Sequence, residues 1–505
     1  MKCNYSSKSL FSEKIDIALV PVFNGYTANS DKILKPLGAD TRAEIAKKMC
    51  LEGFNGNAGQ RFTFHPRTDG DLKSIIWLGL GKKDAFENNS IKDVAANALK
   101  TCKNVLGDRI GFVEMPLTEK TLKECRSFLS EGFHLSQYSF LKYKKSSESR
   151  SDKKEKEITI ISRKTKKISA SEKNQANKAL AKGLCVAKAI CHARDLVNTP
   201  AQDMYPEVMV KEAKSVVKGQ SSLKIKVLSA AECKKKGMNM FLAVGQGSDK
   251  ESKFVHITYT PKKKPKKKIA LVGKGVTFDS GGYSLKPSSS MMGMKVDMAG
   301  SAAVVASMAA VAEIGSPYEV HAVTALCENM VSGGAYKLGD VLTAMDGTTV
   351  EINNTDAEGR LTLGDALTYV NTVIEPDEIF DFATLTGACM VALGPYTIGV
   401  MSDHTKLANN WLQSCEKAGE DAWRLPLNKK LKKQLKSPIA DMRNTGERYG
   451  GALTAGLFLQ NFVKDTPWVH NDIAGPSDSK STHGSISRGG TGVAVASIVK
   501  YCCET

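Results

Sequence analysis

The sequence predicts an α/β protein of two domains, the smaller N-terminal and the larger C-terminal, the latter built on a central mixed, largely parallel sheet flanked by helices. Three observations predict it. At 505 residues the chain exceeds what one ordinary hydrophobic core accommodates. Short apolar runs alternate with stretches in which apolar residues recur at helical spacing. Several of those runs are continuously apolar, the pattern of strands covered on both faces. With 42% hydrophobic and 25% charged residues, the composition supports a sizeable core and excludes disordered and collagen-like classes.

Taken in order, residues 15–22 and 73–81 read as buried strands, and 91–105 and 119–132 as helices, which makes 1–170 an N-terminal α/β domain. A polar stretch, Lys144–Glu157, precedes the strand-like Ile158–Ser162. A helical pattern then runs from about Ser171 to Leu196 and is stopped at Asn198-Thr199-Pro200, because proline biases its predecessor away from helix. Residues 171–200 are therefore the linker helix, and 201–505 the C-terminal domain. There the sequence predicts a helix at 207–217, strands at 223–228, 254–260, 269–273, 320–326 and 378–384, and helices at 299–314 and 363–373. The lysine-rich Pro261–Lys268 lies between two strand-like runs and reads as a hairpin tip. In such sheets active sites gather at the loops after strand C-termini.

The formal charge is +18, and charged residues gather in local runs, the mixed-charge Asp152–Glu157 and the basic Lys164–Lys167 and Pro261–Lys268, which read as solvated loops. Nuclear import or polyanion binding is the rival reading of those runs. Twelve cysteines are scattered without a CxxC pair, Cys502 and Cys503 alone being adjacent, which suits reduced thiols better than a disulfide framework. No stretch approaches ~20 consecutive apolar residues, and the first twenty residues contain no unbroken apolar signal segment. Both observations point to the cytoplasm and away from a membrane.

Common catalytic signatures are missing: there is no HExxH, no GxxxxGK[ST], no GxSxG and no GxGxxG. What stands out is a set of acids and bases in three short Gly-containing segments: Lys274, Asp279 and Lys286; Asp297; and Asp356, Glu358 and Arg360. Each has an ordinary reading. An Asp in a Gly-rich loop is commonly a turn former, Asp297 is placed to cap the helix that follows, and a lysine beside an apolar strand usually snorkels to solvent. Asp356 and Glu358, two apart, would share a face in an extended segment, a geometry suited to bridging divalent ions about 3.5–4 Å apart.

The segments VGKGVTFDSGGYSLKP (272–287), MKVDMAGSAAV (294–304) and NTDAEGRL (354–361) closely resemble those of the M17 leucyl aminopeptidase family, the last being its signature octapeptide. ARDLVNTP (193–200), ENMVSGGAYKLGD (328–340), ATLTGA (383–388), WVHNDIAG (468–475) and GGTGVAV (489–495) extend the likeness over roughly residues 190–500. The resemblance implies a macro-like N-terminal domain and a dinuclear catalytic domain that hydrolyses N-terminal residues from peptides, with Leu, Met and similar residues preferred. It implies that Asp279 and Glu358 bridge two divalent ions, Zn²⁺ or Mn²⁺ with Co²⁺ or Mg²⁺ as alternatives, that Asp356 completes one site, and that Lys274 with Asp297 completes the other. A ligating lysine must be neutral, a state that a neighbouring dication and a low dielectric both favour.

By the same resemblance a water acidified between the ions attacks the scissile carbonyl, Lys286 stabilises the oxyanion, and Arg360 holds a bicarbonate that serves as general base. The substrate's α-amine is received by a metal and Asp297. Lys274, Asp279, Lys286, Asp297 and Asn354 contact the substrate, and Met294, Thr384, Leu385, Gly387 and Ala452 shape the pocket for its first side chain. A cytoplasmic homohexamer, a dimer of trimers, is also implied. The residues alone leave two rival functions open: a two-metal phosphoesterase or nuclease, and an inactive hexameric scaffold or nucleic-acid-binding protein that retains the fold. The octapeptide opposes the first, and the intact set of acids and bases opposes the second.

Overall fold

A computed structural model describes residues 2–67, 70–87, 90–102, 107–145, 156–164 and 168–504. Most of the Lys144–Glu157 run and part of the Lys164–Lys167 run lie outside the described residues, as do residues 103–105 of the first expected helix. The chain divides into two compact units, Met1–Ala187 with His483–Ile486, and Lys188–Thr482 with Ser487–Thr505. The division falls inside the long helix Ala170–Asn198, the segment the sequence assigns to the linker.

In the first unit the described strands form a six-stranded sheet in the order Lys2–Ser6, Glu157–Ile161, Arg109–Val113, Ile17–Val22, Ser74–Gly79, Arg61–Phe64. All neighbours are parallel except the last pair. Side chains alternate across a strand, so Ile17 and Leu19 enter one core with Ile91, Leu99 and Phe133, while Ala18 and Val20 enter the other with Ile45 and Met49. The sheet is thus covered on both faces, which is why Ile17–Val22 is buried at every position.

The second unit is built on an eight-stranded sheet. Its order is Ala422–Arg424, Ile398–Met401, Trp468–Asp472, Glu378–Ala383, Lys268–Asp279, Glu319–Asn329, Lys253–Tyr259, Leu223–Leu228. The four central strands are mutually parallel. This order corrects the expected hairpin: Lys253–Tyr259 and Lys268–Asp279 are not neighbours, because Glu319–Asn329 lies between them, antiparallel to the first and parallel to the second. The loop 261–267 instead passes the end of that intervening strand, where Lys266 N–H donates to the Pro317 carbonyl. Lys268–Asp279 takes a central position because it is buried at nearly every residue and can be covered on both faces.

Helix Ala299–Ile314 connects the neighbouring strands Lys268–Asp279 and Glu319–Asn329 and is apolar all round, as a helix enclosed by its own protein must be. Its first turn lies so close to the sheet that a Cβ on Gly300 would overlap the Phe382 carbonyl oxygen and sit 3.0 Å from Lys274 N. The expected helix at 363–373 begins earlier, at Gly359, and runs to Tyr369 before one wider turn, Val370–Ile374. Within it Asp365 is a buried carboxyl that accepts from Phe241 N (2.9 Å) and Met345 N (2.8 Å).

Lys268–Asp279 also carries an irregularity that matters for chemistry. Cys327 is registered against Val276 and Glu328 against Phe278, so Thr277 has no partner across the pair. One extra residue reverses the alternation of side chains. Lys274 and Asp279, five apart and opposed in an unbroken strand, are thereby both brought within electrostatic reach of Glu358.

Two outcomes follow from this packing. Gly300→Ala should lower stability by roughly 1–3 kcal/mol in urea unfolding, the cost of overpacking a closed interface; an unchanged midpoint would contradict the close approach described. Burial pushes the Asp365 carboxyl up to about 7. Its folded value lies above its unfolded one, so the stability it contributes is full below the unfolded value near ~4 and is lost as pH rises through about 7. Unfolding midpoints measured across that range should fall with rising pH more steeply in the wild type than in Asp365→Asn.

Candidate metal centre

The site assembles at the C-terminal ends of the central strands, entirely within the second unit. Lys274 and Asp279 come from Lys268–Asp279, Lys286 from the loop after it, Asp297 from the 3-10 turn Met294–Met298, Thr384 from the loop after Glu378–Ala383, and Asp356 and Glu358 from the turn before helix Gly359–Tyr369. Asn354 shapes that turn by accepting from Asp356 N at 2.8 Å. Asp356 and Glu358 do not lie on an extended segment, as the sequence suggested; Glu358 is already in the right-handed helical region at φ −75°, and the turn, not strand alternation, makes the two carboxylates converge. One oxygen each of Asp279, Asp356 and Glu358 lies within 4.8 Å of the others.

Lys274 does not snorkel. It is buried, with Nζ 2.7 Å from Asp297 Oδ1, 2.8 Å from Glu358 Oε1 and 3.0 Å from the Thr384 carbonyl. Asp297 is not a helix cap either: the residue before helix Ala299–Ile314 is Met298, and the Asp297 carboxylate accepts from Lys274 and from Thr384 Oγ1 at 2.8 Å. Lys286 pairs with Asp279 Oδ2 at 2.9 Å and with Asp356.

Burial and charge compete throughout the cluster. Burial alone would depress the Lys274 ammonium, but Asp297, Glu358 and Asp279 together outweigh it and hold it above the ordinary lysine value. Lys286 is raised in the same way by Asp279 and Asp356 against its own burial. Desolvation, reinforced by Glu358, raises Asp279; desolvation raises Asp297 further, and desolvation with Asp279 raises Asp356. Four carboxylates against two ammonium groups leave two formal negative charges in a largely buried space. Among the described residues Asp297 Oδ2 finds no hydrogen-bond partner. Excess buried carboxylate oxygen with an orphaned acceptor is a donor set that fits hard or borderline divalent cations.

Arg360 lies two residues beyond Glu358, in the first turn of helix Gly359–Tyr369. It is buried and donates from Nη1 to the Asn444 carbonyl at 2.8 Å, while Nε has no hydrogen-bond partner among the described residues. Burial pulls it down to about 10, so it stays cationic at neutral pH. The remaining expected residues fall around this cluster. Met294 opens the turn that carries Asp297. Leu385 N–H donates to Asp472 Oδ1 at 3.3 Å, and Gly387 begins helix Gly387–Leu393. That helix adjoins Gly451–Gln460, whose Ala452 packs with Cys389 and Met401.

Sequence reasoning missed Asn329, which donates to Asp279, Asn444, which accepts from Arg360, and Thr355 and Asp472, which hold the loops around the cluster. Asn329, Thr355 and Asp472 lie inside quoted motifs, but nothing in residue type distinguishes them from structural asparagines, threonines and aspartates.

Residues 191–499 match the catalytic-domain model of the cytosol aminopeptidase family, and 19–147 match its N-terminal-domain model. A probable cytosol aminopeptidase of Clostridium perfringens is 37% identical over 500 residues, 98% of each chain. One from Aquifex aeolicus is 38% identical over 475 residues, 93% of this chain and 92% of that one. Among solved structures, a tomato leucine aminopeptidase mutant superposes with a TM-score of 0.86 at 31% identity, covering 100% of this chain and 97% of that one. The bottromycin maturation enzyme BotP in complex with Mn gives 0.82 at 31%, covering 97% and 99%. The chain belongs to the cytosol aminopeptidase (M17) family and is a metal-dependent aminopeptidase.

A Cβ on Gly359 would lie 2.7 Å from Lys274 Nζ and closer still to Cε, so only glycine leaves room for this amine. Gly359→Ala should therefore weaken divalent-metal binding about 10–100-fold with a small change in thermal midpoint, read by calorimetric titration of the metal-free protein. Unaltered metal affinity would show that metal binding does not depend on the place Lys274 occupies.

Proposed function

We propose that this chain is a two-metal leucyl-type aminopeptidase. The observation that carries the reading is the largely buried cluster of four carboxylates and two lysines with a net negative charge. Asp279 and Glu358 would be shared by two cations, Asp356 would complete one set, and Lys274 and Asp297 the other, with Zn²⁺ or Mn²⁺ the best match to mixed oxygen and amine donors. When bound, the pair supplies charge that acidifies a water and polarises the scissile carbonyl.

The chain's own residues do the rest. Lys274 serves as a neutral amine, giving up its proton once cations replace it as the partner of Asp297 and Glu358. Lys286, no longer needed to neutralise Asp279 and Asp356, directs its ammonium to the carbonyl oxygen and stabilises the oxyanion as charge develops there. Arg360, whose Nε has no hydrogen-bond partner among the described residues, holds bicarbonate, which supplies the general base that the cluster itself lacks. Asp297 receives the substrate's α-ammonium group, restricting hydrolysis to free N-termini. Met294, Thr384, Leu385, Gly387 and Ala452 form the pocket for the first side chain, which suits Leu, Met and similar residues because methionine adapts to varied apolar shapes. The enzyme works in the cytoplasm as a homohexamer, a dimer of trimers.

Release of a chromophore from a leucyl amide by the purified protein tests this reading. Activity should be lost on chelation and restored by Mn²⁺ or Zn²⁺, Lys286→Ala should fall about 100- to 1000-fold in kcat, and the N-acetylated amide should not be cleaved. A folded protein inactive with every metal would sink the proposal. Light scattering should give a mass near six times 54.6 kDa.

A further inference from the structure

Three of the four carboxylates proposed to hold metal lie on two segments: Asp279 ends the strand Lys268–Asp279, and Asp356 and Glu358 belong to the turn 354–358. One side chain is bonded to both. Asn329, the last residue of Glu319–Asn329 and the register partner of Asp279, is fully buried. Its Nδ2 donates to Asp279 Oδ1 at 2.8 Å and to the Thr355 carbonyl at 3.0 Å. Its own carbonyl accepts from Ser280 N (3.0 Å) and Ser280 Oγ (2.7 Å). Asp279 Oδ1 takes a second bond from Gly281 N at 2.9 Å, while Oδ2 faces Lys286. Both hydrogens of the Asn329 amide are thus committed to acceptors, which sets its orientation: the reversed amide would oppose Oδ1 to two oxygens.

Thr355 completes the brace. Its Oγ1 donates to the Gly281 carbonyl (2.7 Å) and accepts from Ser284 N (2.7 Å), its N–H donates to Ser284 Oγ (3.1 Å), and its carbonyl accepts from Tyr336 Oη (2.8 Å) as well as from Asn329.

We propose that Asn329 is a positioning residue for the reaction: it fixes the rotation of the Asp279 carboxylate and the separation of Asp279 from Asp356, and thereby sets the affinity of the centre for divalent cations. The inference rests on the metal assignment proposed above. Its physical basis is that a carboxylate shared between cations must hold both oxygens in one plane and orientation while like charges crowd it. Asp279 is kept from turning away from Glu358 by two N–H donors on one oxygen, one of them from Asn329. A purely structural asparagine would support the fold without biasing the carboxylate.

The test is titration of the metal-free protein with Mn²⁺, alongside leucyl-amide kinetics at saturating metal and thermal unfolding without metal. Asn329→Ala should weaken Mn²⁺ binding about 10–100-fold, lower kcat more than it raises KM, and leave the metal-free midpoint within a few degrees of wild type. Asn329→Ser, which retains one donor, should fall between the two, and it carries the same measurement if the alanine variant does not fold. Tyr336→Phe, which removes only the bond to the Thr355 carbonyl, should affect Mn²⁺ binding less than Asn329→Ala does. Mn²⁺ affinity within twofold of wild type in a folded Asn329 variant, or a metal-free midpoint that falls without an affinity loss, would overturn the proposal. A wild type that binds Mn²⁺ but cleaves no leucyl amide would instead overturn the function proposed above, and the affinity comparison would still decide the role of Asn329.

Discussion

Four carboxylates drawn into one largely buried space are the constraint on which the catalytic unit depends. Unpaired, such a cluster would protonate or unfold the protein, because desolvating like charges is costly. Lys274 and Lys286 answer most of that demand. Lys274 is enclosed between Asp297 and Glu358, and Lys286 spans Asp279 and Asp356, so each ammonium joins a pair of acids. The two negative charges left over give the centre its appetite for cations. On the metal assignment proposed above, the arrangement that keeps the metal-free protein folded is also the one that receives the cations.

Backbone geometry makes this convergence possible. The unopposed Thr277 turns Asp279 toward the same space as Lys274, and Gly300 lets the helix carrying the apolar core settle against the strand beneath Lys274. Gly359 clears the volume the Lys274 side chain occupies. Each is a feature of close approach, and each matters because a buried ion pair is held by distance. Beyond the cluster, the buried pair His470–Asp381, at 2.6 Å, and the Asp472 carboxylate bonded to Thr386 and Leu385 N tie the loop bearing Thr384 to the neighbouring strand. The Thr384 carbonyl that accepts from Lys274 is fixed by that loop.

Much of this could be read from residue order. Continuous apolar runs at 17–22, 269–273, 320–326 and 378–383 are strands because only a doubly covered sheet buries them, and the all-round apolar 299–314 is an enclosed helix. The acids and lysines of the centre stood out as a group once three segments were considered together. Misreadings came where local rules were applied to residues with distant partners. Pro261–Lys268 has the composition of a hairpin tip, yet the strand that separates its flanks arrives from some fifty residues further on. Asp297 sits where a cap would sit, but a buried ammonium 2.7 Å away outbids a backbone N–H. Asp356 and Glu358 converge through a turn that period-two reasoning does not describe.

By itself the sequence determined which segments are apolar enough to be buried, the two-domain α/β class, and the chemical inventory of the centre, since these follow from residue types and short-range periodicity. Only the tertiary structure decided the strand order, the Thr277 irregularity, which oxygen faces which ammonium, and the hydrogen bonds of Asn329 and Thr355. Those depend on distances between residues far apart in the chain, and a single asparagine at a strand end has no local pattern that distinguishes one bonded to a buried carboxylate from one bonded to water.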